Sequence, residues 1–173
     1  MAENPYLTAY VGEIGKIVFS VSVFEDLLTN LISDCFNLSE IQENALLRPL
    51  PTRAKIETLS RLGQMALDKP GQKALSKWCE TTKERLEDRN ALVHGQPGQE
   101  GRHVTFRVYS GKHGFFGKPE VWTMNDVCDV RDYFILACDE VEQTIRPKFE
   151  AWIVRMSEGA HSQDDASPAQ PAE

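Results

Sequence analysis

The sequence predicts an all-α fold: an antiparallel helical bundle with a small β-hairpin inserted before the last long helix. Three observations carry this expectation. Apolar residues recur at steps of three and four along most of the chain, the signature of amphipathic helices. These stretches are separated by Pro and Gly with capping residues beside them. Between residues 104 and 124 alone the composition turns β-branched and aromatic, with partial period-two alternation. A chain of 173 residues suits one domain, placed at residues 1–158, with a disordered tail at 159–173 that lacks large apolar side chains.

The elements follow in order. Asn4-Pro5 is an N-cap residue followed by Pro at the first helical position. Leu7, Val11, Ile14, Val18, Val21, Phe24, Leu28, Leu31 and Cys35 then form one continuous stripe on a long helix. Ser39 and Gln42 match a capping box and open a short helix carrying Ile41, Leu46 and Leu47. Pro49-Leu50-Pro51 breaks it, and Thr52 caps a third helix with Ile56, Leu59 and Leu62 inward. Asp68-Lys69-Pro70-Gly71 ends that helix. A fourth runs from about Gln72 to His94, with Leu75, Trp78, Cys79, Thr82, Leu86, Asn90 and Val93 on one face, and Gly95 stops it.

Val104–Tyr109 and Glu120–Met124 read as the two strands of a hairpin, joined by a Gly-rich connection. Asn125 caps the last helix, Asp126 to about Ser157, with a kink expected at Pro147. Asp126, Asp129 and Asp132 recur near its start, where carboxylates favour a helix N-terminus. Lys55 reads as a solvated helix residue and Trp78 as core.

Composition narrows the function. A net charge of -7 excludes non-specific coating of nucleic acid, so any RNA contact needs a local basic patch. Cys35, Cys79, Cys128 and Cys138 are scattered, with no metal-ligand spacing. No metal or cofactor is expected, and the thiols read as reduced and buried. The start of the chain lacks a basic segment followed by an apolar one, and no apolar run reaches membrane-spanning length. The expectation is a cytoplasmic protein with no membrane partner.

The run Arg89-Asn90-Ala91-Leu92-Val93-His94 at the end of the fourth helix carries the chemistry. Asn90 and His94, four apart, share a helix face. Arg89 and His94 are about 140° apart around the axis, yet can converge because the helix ends there and Arg is long. The carbonyl end of a helix is partly negative and favours a cation such as an imidazolium, a form suited to acid catalysis. None of the residues three or four positions from Arg89 is acidic, which leaves its guanidinium available to a ligand, another helix or another subunit. Beyond it, residues 101–119 hold Arg102, His103, Arg107, Lys112, His113 and Lys118, no Asp or Glu, and interleaved aromatics. Arg102, His103, Arg107 and Lys112 are the candidate RNA-binding residues. A surface hairpin packed on the bundle by one face explains the same composition.

These residues resemble the motif of the HEPN superfamily: Arg, then four to six intervening residues, the first of them commonly polar, then His. Arg89, Asn90 and His94 fit that pattern, at the end of a helix in a bundle of similar layout. The resemblance covers roughly residues 5–158, and only the motif is specific. It implies a metal-independent endoribonuclease that works as a homodimer with two motifs facing each other, in the role of a toxin or an antiviral defence factor with an antitoxin or other regulator. His94 would then transfer a proton at the ribose 2′-hydroxyl or the leaving oxygen, Arg89 would stabilise charge on the phosphate, and Asn90 would orient the phosphate or the His. The alternative is a non-catalytic HEPN-like module that binds RNA, a nucleotide or a protein partner. In some family toxins a Tyr two residues after the motif His is modified by a partner enzyme. Gln96 stands there in this chain, which puts regulation by that route in doubt.

Overall fold

A computed structural model describes the backbone of residues 5–100, 103–107 and 119–164, and the side chains of residues 8–95 and 122–158. Among the described residues the fold is an all-α helical bundle with a small sheet at one end. The helices are α1 (Pro5–Phe36), α2 (Glu40–Leu46), α3 (Thr52–Ala66), α4 (Lys69–His94), α5 (Met124–Glu140) and α6 (Arg146–Asp164). Among the described residues no helix is long and apolar enough to cross a membrane.

The core is one cluster drawn from α1, α3, α4, α5 and α6. Phe24, Ile56, Leu59, Phe134 and Phe149 are fully buried. Phe24 meets the edge of Phe134 at 5.7 Å between ring centroids and tilts against Trp78 at 5.9 Å, separations at which aromatic pairs are attractive. The first half of α1 departs from the expected stripe. Tyr10 and Ile17 are buried there, whereas Val11 is 60% exposed. Two apolar tracks overlap in this stretch, and tertiary anchors select between them. The Tyr10 hydroxyl donates to the Trp122 carbonyl at 3.1 Å, and Glu13 pairs with Arg131.

The bundle is not uniformly antiparallel. Glu13 pairs with Arg131, and the Cys138 thiol points to the Ser20 carbonyl. Both pairs are separated by 118 residues, so α1 and α5 run parallel. α4 runs against α3, since Ile56 meets Cys79 while Arg53, one turn earlier, reaches Glu87. Parallel neighbours need a long return connection. The return after α1 is α2 with the turns around it, where Arg48 ties back to Asp26 at 2.6 Å.

Several boundaries also shift. Asp68 caps α4 by accepting the Gly71 N–H, so the run expected only to end α3 also starts α4, with Pro70 in its first turn. Pro51 rather than Thr52 is the N-cap of α3. Thr123 rather than Asn125 caps α5, in a capping box with Asp126. That box, with the Thr123 hydroxyl foremost, holds the Asp126 carboxyl below its ordinary range. The single last helix is divided. A π-helical turn, Val141–Ile145, lies between α5 and α6, and the Arg146 N–H reaches back to the Val141 carbonyl. Pro147 brings no N–H to the ladder, and a wider turn just before it absorbs the mismatch. α6 continues to Asp164, past the expected domain limit at 158. Residues 165–173 of the expected tail lie outside the described residues.

Between α4 and α5 the backbone forms three antiparallel strands rather than a two-stranded hairpin: β1 (Gln96–Glu100), β2 (His103–Arg107) and β3 (Pro119–Trp122), in that order. Gln99 faces Val104, and Val104 faces Trp122. β1 was not foreseen, because its Gln-Pro-Gly-Gln-Glu sequence has low strand propensity. The Gly-rich connection around residues 108–118 lies outside the described residues.

All four cysteines are free thiols, but only Cys79 is buried as expected, and Cys35, Cys128 and Cys138 are half-buried. Burial pushes the Cys79 and Cys35 thiols up to about 11 from 9.0. A folded-state value above the unfolded one means that the native chain holds these protons more tightly. Their contribution to stability is therefore complete below pH 9.0 and is lost as pH rises through about 11. A water-soluble disulfide reagent at mildly alkaline pH is expected to leave Cys79 unmodified in the folded chain and to label it after unfolding. Rapid labelling of the native protein, followed by peptide mapping to Cys79, would refute that burial.

Candidate functional site

Arg89, Asn90 and His94 occupy the last two turns of α4, the end of the bundle that also carries the start of α5. On α4 the buried positions Leu75, Cys79, Thr82 and Leu86 define the inward face. Arg89, three residues beyond Leu86, lies at the edge of that face and is half-buried. Asn90 was expected on the inward face and is instead exposed. At the helix end Ala91 and Leu92 are buried, so the covered side of α4 rotates there and Asn90 is left outward.

The structure brings Arg89 and Asn90 together. Arg89 Nη1 donates to Asn90 Oδ1 at 2.9 Å. Arg89 makes no ion pair among the described residues, whereas neighbouring Arg85 is held by Asp88 at 3.1 Å. The Arg89 Nε is buried with no hydrogen-bond partner. A buried guanidinium donor left unmatched is unfavourable in the free chain, and it is a feature that an incoming oxyanion would remove. The amide oxygen of Asn90 holds one arm of the guanidinium and so orients the rest.

His94 is the last residue of α4 and is exposed, with no hydrogen bond or ion pair to a described residue. It stands about 7.5 Å along the axis from Arg89, by the rise of five helical residues. Gly95 follows as the C-cap, its N–H returning to the Ala91 carbonyl. The structure therefore joins Arg89 to Asn90 and leaves His94 free at the helix end.

Of the candidate RNA-binding residues, His103 and Arg107 lie at the two ends of β2, where only the backbone is described. Arg102 and Lys112 lie outside the described residues. Among the described residues no group of three or more His, Cys, Asp or Glu side chains could hold a metal.

Two features escaped the sequence reading. Lys55, read as solvated, is 1% exposed and binds Glu25 of α1 at 2.8 Å. The signal was available: Lys55 precedes Leu59 by four and Leu62 by seven, and Glu25 stands in the same relation to Val21, Leu28 and Ile32. Each charge lies on the buried stripe of its helix. Thr82 is fully buried, as its place on the inward face implies, and the unforeseen feature is the 2.6 Å hydrogen bond that its hydroxyl shares with the Tyr133 hydroxyl. Burial pushes the Tyr133 phenol up, against the opposing pull of that bond.

No protein-family model, curated protein or solved structure matches the chain.

Proposed function

We propose that the chain is a metal-independent endoribonuclease of the HEPN type, with Arg89, Asn90 and His94 as its reactive set. The observation that carries this reading is the state of Arg89: unpaired by any acid among the described residues, fixed by Asn90, and with a buried Nε that has no partner. Such a group is prepared for a phosphate, whose oxygens match the guanidinium fork. In the proposed reaction an imidazole accepts the ribose 2′-hydroxyl proton. The 2′-oxygen attacks the adjacent phosphorus, the bond from phosphorus to the 5′-oxygen breaks, and that oxygen takes a proton. The products are a 2′,3′-cyclic phosphate and a 5′-hydroxyl. Arg89 stabilises the charge that develops on the phosphoryl oxygens, and His94, free at the helix end, moves a proton.

One protomer offers one such imidazole, whereas the reaction needs both an acceptor and a donor. A homodimer with two motifs across one cleft supplies the pair. His103 and Arg107 on β2, with Arg102 and Lys112 beside them in sequence, give the local positive charge that an acidic chain needs to hold RNA.

The test is cleavage of a single-stranded RNA in the presence of EDTA. Wild type is expected to release 2′,3′-cyclic phosphate ends, and His94→Ala to be slower by about 10²–10⁴-fold, the usual contribution of a positioned acid or base. Equal rates in the two proteins would overturn the assignment. RNA binding without cleavage by the wild type would favour the non-catalytic module instead.

A further inference from the structure

We propose a second site at the other end of α4: a hollow against the α5–α6 junction that binds a small amphipathic anion, an apolar ring or branched chain bearing one carboxylate or phosphate. The hollow holds about 350 Å³ including its open mouth. Leu67, Leu75, Trp78 and Ile145 give it an apolar lining, and Thr144 and Lys148 add polar groups. Apolar walls with a few polar groups are the usual make-up of a small-molecule pocket. It continues into an open groove that shares Lys148 and extends along α6 to Arg155.

Three independent features point to a ligand. First, Trp78 lines the hollow, and its indole Nε1 is buried with no hydrogen-bond partner. An unmet buried donor costs about 1–3 kcal/mol, which a ligand acceptor would recover once the side chains that cover the Nε1 shift to admit it. Second, Thr144 and Ile145 belong to the π-helical turn. Single π turns are frequent at functional sites, and this one, which accommodates Pro147, shapes the wall of the hollow. Third, Lys148 and Arg155 are two turns apart on one face of α6, and neither makes an ion pair among the described residues.

The two acids nearby set the orientation. Glu140 lines the hollow and Asp68 the groove, and the Asp68 carboxylate already accepts the Gly71 N–H. The anionic head is therefore assigned to the Lys148 and Arg155 side, with the apolar body against Leu75 and Ile145. Trp78 and Arg89 are about 16 Å apart along α4 by helical rise, so this site stands apart from the proposed RNA site and does not depend on it.

The test is calorimetric titration of the full chain with naphthoate, naphthyl phosphate, naphthalenemethanol and inorganic phosphate. At least one naphthyl anion is expected to bind one site per chain with Kd below about 1 mM, and more tightly than the alcohol by about tenfold. Lys148→Ala and Arg155→Ala should weaken the anion by about fivefold or more and leave the alcohol unchanged. Trp78→Phe, which keeps an aromatic ring and removes the N–H, should weaken both. The carboxylate and phosphate arms distinguish the two head groups. The proposal fails if neither naphthyl anion saturates, if both lysine and arginine variants bind it as wild type does, or if inorganic phosphate binds as tightly as naphthyl phosphate.

Discussion

Glu25→Ala is expected to cost about 3–5 kcal/mol of folding stability, the usual penalty for removing one partner of a buried ion pair. The magnitude follows from the asymmetry of the pair. The Lys55 side chain is 2% exposed and Glu25 33%. Removing Glu25 strands an ammonium group with almost no access to water, where an unpaired charge is most costly. Removing the lysine strands a carboxylate that water reaches, so Lys55→Met should cost about 1 kcal/mol or less. The double variant Lys55→Met with Glu25→Gln leaves no buried charge and should recover most of the loss.

Urea unfolding of the four proteins measures this, read as a shift in midpoint at constant slope. Equal losses in the two single variants would mean that the asymmetry of burial does not govern the pair. Against a typical domain stability of about 5–15 kcal/mol, Glu25→Ala is a large fraction. The pair joins α1 to α3, two helices separated in sequence by α2, and so helps fix how the bundle closes.

The same pair shows where a sequence reading stops. Apolar periodicity located the helices, though it read α5 and α6 as one, and most of the core, because burial of one stripe per helix is a local property. It read Lys55 as solvated because single charges are rarely buried, and it made nothing of Glu25. Only knowledge that the two stripes meet makes them partners. The parallel arrangement of α1 and α5 was hidden for the same reason: it is fixed by contacts 118 residues apart. The π turn before Pro147 was half legible, since the missing N–H announces a defect but not its form.

At the candidate site, the adjacency of Arg89 and Asn90 and the place of His94 at a helix end were legible from spacing alone. The exposure of Asn90 was not. It depends on Ala91 and Leu92 being covered from the other side of α4, a tertiary fact. The hollow beside Trp78 was likewise invisible, because its walls come from the end of α3, the start of α4 and the α5–α6 junction.

Arg89 offers the sharpest test of the functional reading, because function and stability should move in opposite directions. Arg89→Met keeps an unbranched chain of similar length and removes the guanidinium. If Arg89 is retained for a phosphate, its buried, unpartnered Nε is a cost borne by the free protein. The variant should then be more stable by about 0.5–2 kcal/mol, a rise in Tm of about 2–4 °C per kcal/mol for a chain of this size. RNA cleavage should fall by about 10²–10³-fold, as when one donor to a developing oxyanion is lost. If instead Arg89 serves the fold, its bond to Asn90 and its packing are lost in Arg89→Met, Tm falls, and cleavage falls only with the folded population. Thermal melts and cleavage rates on one preparation separate the two cases. A stabilised and inactive variant is the outcome that a merely structural arginine cannot produce.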